Sequence, residues 1–173
     1  MVSQAQDGFH PSGLPAASTG EPLRTRLHHI RAGDVDPGTA QSAGMRRFAA
    51  ISGTSVGSER IWMGQTHVAP ATASANHHHG ESETAIYVVS GHPEFVFAET
   101  ADPDEDDTGG AGTGVTEIRL RTAPGDYIFV PPFVPHREEN PDPDREAVVV
   151  IARSTQDAIV VNLPELFALR PDA

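Results

Sequence analysis

Short apolar runs separated by turn-forming residues dominate the hydrophobic pattern of this chain. The runs are rich in Val, Ile and aromatic residues, and Gly, Pro, Asp or Ser lies between them. This pattern is typical of strands in an antiparallel sandwich or barrel. The predicted strands are residues 45–51, 60–68, 85–90, 93–99, 115–121, 126–130, 147–152 and 158–162.

A helix is predicted only near the end of the sequence, in NLPELFALR at residues 162–170. Asn162 can cap it, and Pro164 suits its first turn. Residues 1–22 are rich in Gly, Pro, Ser and Ala, which predicts a flexible arm because so few large apolar side chains cannot offset the entropy of ordering. The remaining residues, 23–173, are predicted to form a single all-β domain with a short C-terminal helix.

An acidic, glycine-rich loop is predicted at residues 99–114. Its alternating acids, from Asp102 onward, are similar to the start of a calcium loop. However, Asp107 stands where the sharp-turn glycine is expected, and Thr113 stands where the last ligand, a glutamate, is expected. A solvated insertion is therefore predicted here, and not a calcium site.

The composition restricts the class of partner. The formal net charge of −12 argues against binding to nucleic acid or to anionic membranes. The first residues have neither the basic nor the apolar region of a secretion signal, so a cytoplasmic location is expected. Because the chain has no cysteine, any metal ion must be held by imidazole and oxygen ligands.

The stretch HHHGESETAIYVVSG, residues 77–91, carries the first candidate ligands. On an extended strand His77 and His79 point to the same face, where two imidazoles can share a cation, and His78 points to the other face. Glu83 can add a carboxylate across a turn at Gly80. The triplet is internal and a strand follows it, so it is not a purification tag.

A third imidazole is available at His136, in PGDYIFVPPFVPHREEN at residues 124–140. Here the residues resemble the two motifs of the cupin superfamily. The second motif matches in spacing throughout, and Phe133 stands in place of its middle glycine. The first motif matches at His77, His79 and Glu83. The matching residues that complete the two motifs are Gly91, Pro124, Gly125, Pro131, His136 and Asn140.

The first motif has two departures. Ala71 stands where the leading glycine is expected, and seven residues instead of six separate Glu83 from Gly91. Counted back from Gly91, the motif's glutamate falls on Thr84, which is a poor ligand. We therefore assign the carboxylate to Glu83 and keep Glu81 as the alternative.

The resemblance implies a jelly-roll barrel, the double-stranded β-helix, with a divalent metal ion on His77, His79, Glu83 and His136. Fe(II) is favoured, and Mn, Ni, Cu or Zn is possible. Tyr87 is expected to share a face with Glu83, and its hydroxyl is the predicted polar group of the pocket. Glu83 and Tyr87 are thus the candidate catalytic residues.

The function expected from this resemblance is that of a metal-dependent enzyme acting on a small molecule. An Fe(II)-type oxygenase is the first hypothesis, because the predicted ligand set resembles that of cupin dioxygenases. The alternatives are a non-redox isomerase, epimerase, lyase or cyclase, and a binding protein without turnover. A homodimer is expected, since small cupins resemble proteins that pair through strands or sheet faces.

Overall fold

The computed structural model describes residues 27–100 and 115–167. The predicted arm at residues 1–22 lies outside the described residues. So does the predicted acidic loop, except for Glu99 and Thr100, which end a strand.

The described residues form short strands and one helical turn. The helix α1 (Gly53–Val56) is capped by the Ser52 side chain, which accepts a hydrogen bond from the Ser55 backbone N–H. The strands are β1 (Met45–Ile51), β2 (Trp62–Val68), β3 (Thr72–Ala73), β4 (His77–His78), β5 (Thr84–Ser90), β6 (Glu94–Thr100), β7 (Val115–Arg121), β8 (Tyr127–Val130), β9 (His136–Asn140), β10 (Ala147–Arg153) and β11 (Val161–Asn162).

The strands pair into two antiparallel sheets. One sheet has the order β1-β2-β10-β5-β8, and the other has the order β11-β4-β9-β6-β7, with β3 also paired to β9. Each sheet also pairs strands from distant parts of the chain, such as β2 with β10 and β4 with β9, as in a jelly roll. Thus β9 pairs with β4, β3 and β6, and collects residues that are far apart in the sequence.

The hydrophobic core lies on the inner face of the five-stranded sheet. On β10 the buried positions alternate with half-buried ones, as expected for a strand with one face on the core. Burial of each large aliphatic or aromatic side chain contributes roughly 1.5–3 kcal/mol to the free energy of unfolding. The buried cluster consists of Ala49, Trp62, Ile86, Val88, Phe95, Val130, Val149 and Ile151.

The apolar runs predicted most of these strands to within two residues. The exception is the last predicted strand, at residues 158–162, where only Val161–Asn162 is strand. The sequence pattern did not predict β3, β4 and β9 as strands, because β3 and β4 have two residues each and β9 consists of polar and charged residues.

The predicted C-terminal helix is wrong over the described residues. Residues 163–167 form bends and a turn, and residues 168–170 lie outside the described residues. The Leu163 N–H donates to the Asn76 carbonyl at 2.8 Å, which holds this segment against the edge of the six-stranded sheet. Among the described residues, no helix has the length and apolar character needed to cross a membrane.

At the two positions where this chain replaces a glycine of the cupin motifs, the backbone still has the left-handed conformation that glycine favours. Ala71 has φ 49° and Phe133 has φ 62°, a left-handed conformation that normally favours glycine. The Phe133 N–H donates to the Gly80 carbonyl at 2.8 Å, which joins the two motif loops. At Gly91, with φ 78°, a Cβ would lie 2.8 Å from Ala147, so only glycine fits.

Candidate metal centre

Four buried side chains converge between the sheets. His77, His79, His136 and Glu138 each offer one ligand atom, and these atoms lie within 4.8 Å of one another. The exposed fractions of these residues are between 3% and 6%. A cluster of this kind, with nitrogen and oxygen donors, could hold one divalent metal ion.

The six-stranded sheet brings these residues together. His77 on β4 lies directly opposite His136 on β9. Since side chains alternate along a strand, His136 and Glu138 on β9 share one face. His79 follows the end of β4, and its ring centroid lies 5.0 Å from that of His77 and 4.9 Å from that of His136.

Backbone carbonyls fix the orientation of all three imidazoles. The Nδ1 atoms of His77, His79 and His136 lie 2.8, 3.0 and 2.9 Å from the carbonyl oxygens of Ala75, Ile159 and Val134. Because a carbonyl oxygen only accepts, each Nδ1 carries the proton and each neutral ring has its lone pair on Nε2. Hydrogen bonds of this kind orient the histidine ligands of metal sites.

The Nε2 atom of His136 is buried and has no hydrogen-bond partner. A buried lone pair without a partner costs free energy, and a metal ion would satisfy it. The donor set therefore fits a divalent ion held by three Nε2 atoms and the Glu138 carboxylate.

Burial keeps the imidazoles of His79 and His136 neutral, as metal binding requires. It lowers the pKa of His79 to about 4, and the nearby His136 and His77 add to this effect. Burial also lowers the pKa of His136, again with a contribution from His77. Both rings are therefore available as ligands at neutral pH.

Glu138 is held as a carboxylate by its neighbours. Burial by itself raises the pKa of Glu138, but His136, His77 and the Arg47 guanidinium reverse this effect, so the pKa lies below its usual value. The ionised form is the one that binds a cation.

The assignment of the carboxylate to Glu83 is corrected by the structure. Glu83 is exposed and lies outside the cluster, whereas the next residue, Thr84, is buried at 1% exposure. Alternation along β5 thus turns Thr84 inward, at the motif's glutamate position, and turns Glu83 outward. The alternative, Glu81, is also exposed.

The assignment of Tyr87 to the pocket is corrected for the same reason. Tyr87 shares the face of Glu83, as expected, but this is the outer face of the five-stranded sheet. Its side chain is 37% exposed, and its ring packs on that of Tyr127 at 4.8 Å between centroids. Glu83 and Tyr87 therefore do not contact the candidate metal centre.

The other histidines that the structure describes lie outside the cluster. His78 is buried, and its Nδ1 accepts a hydrogen bond from the Gly80 N–H at 2.9 Å. His67 pairs with Glu146 at 2.7 Å between Nδ1 and Oε1, and His92 bonds the Thr122 carbonyl. As expected, His78 is the member of the triplet that does not join His77 and His79.

Glu138 is the residue that the sequence analysis missed. It stands two residues after His136, so strand alternation would have placed both on one face. This alternation was not recognised because HREEN contains no apolar residue, so the hydrophobic pattern does not predict a strand there.

Solved structures share this architecture. The polyketide cyclase RemF from Streptomyces resistomycificus has a TM-score of 0.58 and 21% identity, over 80% of this chain and 86% of RemF. A double-stranded β-helix protein from Klebsiella pneumoniae gives 0.50 and 16%, over 73% and 90% of the two chains. The chain has the double-stranded β-helix fold of the cupins.

Oxalate decarboxylase from Bacillus subtilis also shares the cupin fold, with a TM-score of 0.54 and 23% identity over 76% of this chain. The match covers 31% of the decarboxylase, so this chain corresponds to about a third of that protein. No protein-family model matches the sequence, and no curated protein matches it significantly. At these identities the comparisons establish the cupin fold and not the reaction.

Proposed function

We propose that this protein is a metal-dependent enzyme that acts on a small molecule. The observation that carries the proposal is the arrangement of the three imidazoles of His77, His79 and His136. Each donates its Nδ1–H to a backbone carbonyl, which leaves three Nε2 lone pairs beside the Glu138 carboxylate. This donor set would hold the ion with four protein ligands, fewer than a five- or six-coordinate ion needs.

Mixed nitrogen and oxygen donors suit Fe(II), Mn(II), Ni(II), Cu(II) and Zn(II). When bound, such an ion supplies Lewis acidity and, for iron, redox chemistry. The chain contributes the rest. Carbonyl groups fix the ring orientations, burial keeps His79 and His136 neutral, and Glu138 contributes one negative charge.

An apolar cavity beside His136 could receive the organic part of a substrate. Its volume is about 360 Å³, which is within the usual range for small-molecule sites. It opens between β8 and the six-stranded sheet, and His136 is the cluster residue that lines it. The lining residues are Phe95, Phe97, Ala98, Leu120, Ile128, Phe129, Val130, Pro131, Val134 and His136.

The metal part of the proposal is tested by elemental analysis of protein purified without added metal. We expect about one divalent ion per chain in the wild type and loss of the ion in His136→Ala. The matched control is His67→Ala, which removes a histidine outside the cluster and should keep the ion. Equal metal content in all three proteins would refute the site.

For the reaction, an Fe(II)-dependent oxygenase is the first candidate, because a site of three histidines and one glutamate resembles that of cupin dioxygenases. It predicts uptake of dioxygen that requires both substrate and iron. Undiminished turnover without oxygen would exclude it.

A non-redox reaction is the second candidate, in which the bound substrate isomerises, cyclises or loses a group. It is supported by the shared fold of a polyketide cyclase and a decarboxylase. It predicts that Zn(II) supports turnover as well as Fe(II) does. Activity with iron alone would count against it.

A further inference from the structure

A buried arginine, Arg153, lies inside the barrel and is not part of the metal cluster. It ends β10 on the inward face that also carries Val149 and Ile151, and it is 5% exposed. Its guanidinium lies over the ring of Trp62, with Cζ 5.0 Å from the ring centroid. Its Nε has no hydrogen-bond partner, and none of the described carboxylates forms an ion pair with it.

A guanidinium in this position is costly for the fold. Removal of a charge from water is unfavourable unless an acceptor compensates it, and arginine is almost never fully buried without a partner. Burial accordingly lowers the pKa of Arg153. The Trp62 ring attracts the cation but accepts none of its in-plane N–H groups. A ligand that accepts those hydrogen bonds would explain why the sequence places arginine here.

More unpartnered polar atoms lie in the same interior. Thr84 is directly opposite Arg153 in the sheet, and its buried Oγ1 has no hydrogen-bond partner. Arg47 lies on β1 opposite Thr66, whose buried Oγ1 has no partner. The Nη1 and Nη2 of Arg47 bond Ser42 Oγ and Met45 Sδ, so only its Nε is unpartnered. The interior therefore offers several free donors toward one ligand.

Two of these donors are within electrostatic reach of Glu138 in the candidate metal cluster. The charge of Glu138 acts on Arg153, and the charge of Arg47 acts on both Glu138 and Arg153. Thr84 occupies the position where the cupin motif has its glutamate, and its side chain is buried in the same interior. A small molecule beside the cluster could reach both groups of residues.

We propose that Arg153, with Arg47 and the Thr84 hydroxyl, binds an anionic oxygen of the substrate, and that the substrate is a small organic acid with a carboxylate. This inference deepens the proposed function and rests on it, because the bound acid is a substrate only if the protein is an enzyme. A planar carboxylate matches the fork of a guanidinium and accepts two parallel hydrogen bonds.

A carboxylate fits better than a phosphate because Glu138 is so near. A dianion would be repelled by this carboxylate in a medium of low dielectric constant, whereas a monoanion adds only one charge to the two arginines.

Trp62 provides the readout, because it is the single tryptophan of the chain and lies under Arg153. The probes are acetate and its neutral analogue acetamide, titrated at constant ionic strength into protein as purified. We expect a saturable change in tryptophan fluorescence and a rise in Tm with acetate, and neither with acetamide. Equal responses to both probes would overturn the proposal.

The variants separate the roles of charge and shape. Arg153→Met should weaken acetate binding at least tenfold and raise the Tm of the ligand-free protein, because an unpaired buried charge is removed. Arg153→Lys keeps the charge without the fork and should weaken binding by a smaller factor. The matched control, Arg119→Met, changes an arginine on the outer face and should bind acetate as the wild type does.

An acetate affinity that is unchanged in both Arg153 variants would refute the anion site. If Arg153→Met does not fold, the acetate affinity of Arg153→Lys alone tests the site. Metal content is measured on the same samples. Acetate binding without metal would support the anion site while the metal proposal fails. Metal without acetate binding would leave the metal centre intact and refute the anion site.

Discussion

The two faces of β9 carry glutamates one residue apart that act in different ways. Glu138 points inward, is 6% exposed and joins the histidine cluster. Glu139 points outward and pairs with Arg119 and with Arg137, whose Nε lies 2.5 Å from its Oε1. Both carboxyl groups have a lowered pKa, although burial alone would raise it. For Glu138 the pKa is lowered by the nearby imidazoles and Arg47. For Glu139 it is lowered by hydrogen bonds from Arg119 and Arg137.

The difference shows what strand alternation does to a charged segment. On the outer face, Arg119 also bonds Glu94 at 2.7 Å, and Arg137 bonds Glu117 at 2.9 Å, so each charge meets a partner near water. On the inner face, Glu138 meets the imidazole edges of the metal cluster. One strand of polar residues therefore forms ion pairs on its outer face and carries two candidate metal ligands on its inner face.

The largest effect is expected from exchange of one glutamate at a time. Glu138→Gln should lower the affinity for the metal ion at least 100-fold, because it removes the charged ligand, whereas even loss of an outer-shell partner costs 10–100-fold. Glu139→Gln removes the same charge one residue away and should keep the affinity of the wild type. Isothermal titration with the metal compares the two, and similar affinities would show that the inner carboxylate is not a ligand.

The next largest effect is expected in the pH dependence of the free energy of unfolding, which should differ between the inner cluster and the outer face of β9. In metal-stripped protein, His79 stays neutral down to pH about 4, while in the unfolded chain it takes up a proton near its ordinary pKa of 6.5. The unfolded state thus binds more protons in this window, so the free energy of unfolding falls as pH drops from 6.5 toward 4, by on the order of 3 kcal/mol.

The outer face should respond only at lower pH. The pKa of Glu139 is lowered from 4.5, so its contribution is present above that value and is lost below it. Urea denaturation of metal-stripped wild type and His79→Gln at pH 6.5 and 4.5 measures the loss on the inner face, and wild type against Glu139→Gln at pH 4.5 and 3 measures the loss on the outer face. A wild type without loss between pH 6.5 and 4.5, or a His79→Gln variant with the same loss, would contradict it.

The third prediction concerns a structural role on the inner face. Asn140 is 1% exposed, and its Nδ2 donates to the carbonyls of Val68, Ala69 and Arg145. Asn140→Ala should lower the free energy of unfolding by about 2 kcal/mol, since it leaves buried carbonyls unpaired. Metal content should not change, and its loss in a folded variant would assign Asn140 to the site.

The smallest effect is expected on the outer face. Arg119→Met should cost about 1 kcal/mol or less, because its side chain is 35% exposed and its pairs are partly screened by water. The cost should shrink further in 1 M salt. Denaturation in low and high salt measures it, and a cost that salt does not change would mean that packing of the arginine stem matters more than its charge.

The fold could be predicted from the sequence because it depends on repeated, short apolar strands. The Val, Ile and aromatic runs identified β1, β2, β5, β6, β7, β8 and β10, and the two motifs indicated the jelly roll. The strands that carry His77, His136 and Glu138 were harder to find, since they are short or polar and β9 is stabilised by its neighbours instead of its own apolar residues.

The site was predicted in part. The inward direction of His77 and His79 followed from their spacing, and the structure brings them to His136. Glu83 failed because a shift of one residue moves a side chain to the other face, and nothing before β5 fixes the parity in the sequence. Arg153 was not predicted as a pocket group, since one arginine at the end of an apolar strand gives no signal. The homodimer and the cytoplasmic location stay predictions.

The hydrogen bond from His79 to the Ile159 carbonyl spans 80 residues of the chain. A ribosome adds about 5–20 residues per second, so roughly 4–16 s pass between synthesis of this histidine and of the carbonyl that orients it. Throughout that time His77 and His79 lack their final arrangement, and His136 is added only part-way through it. The complete set of candidate ligands therefore forms only when the last part of the barrel has closed.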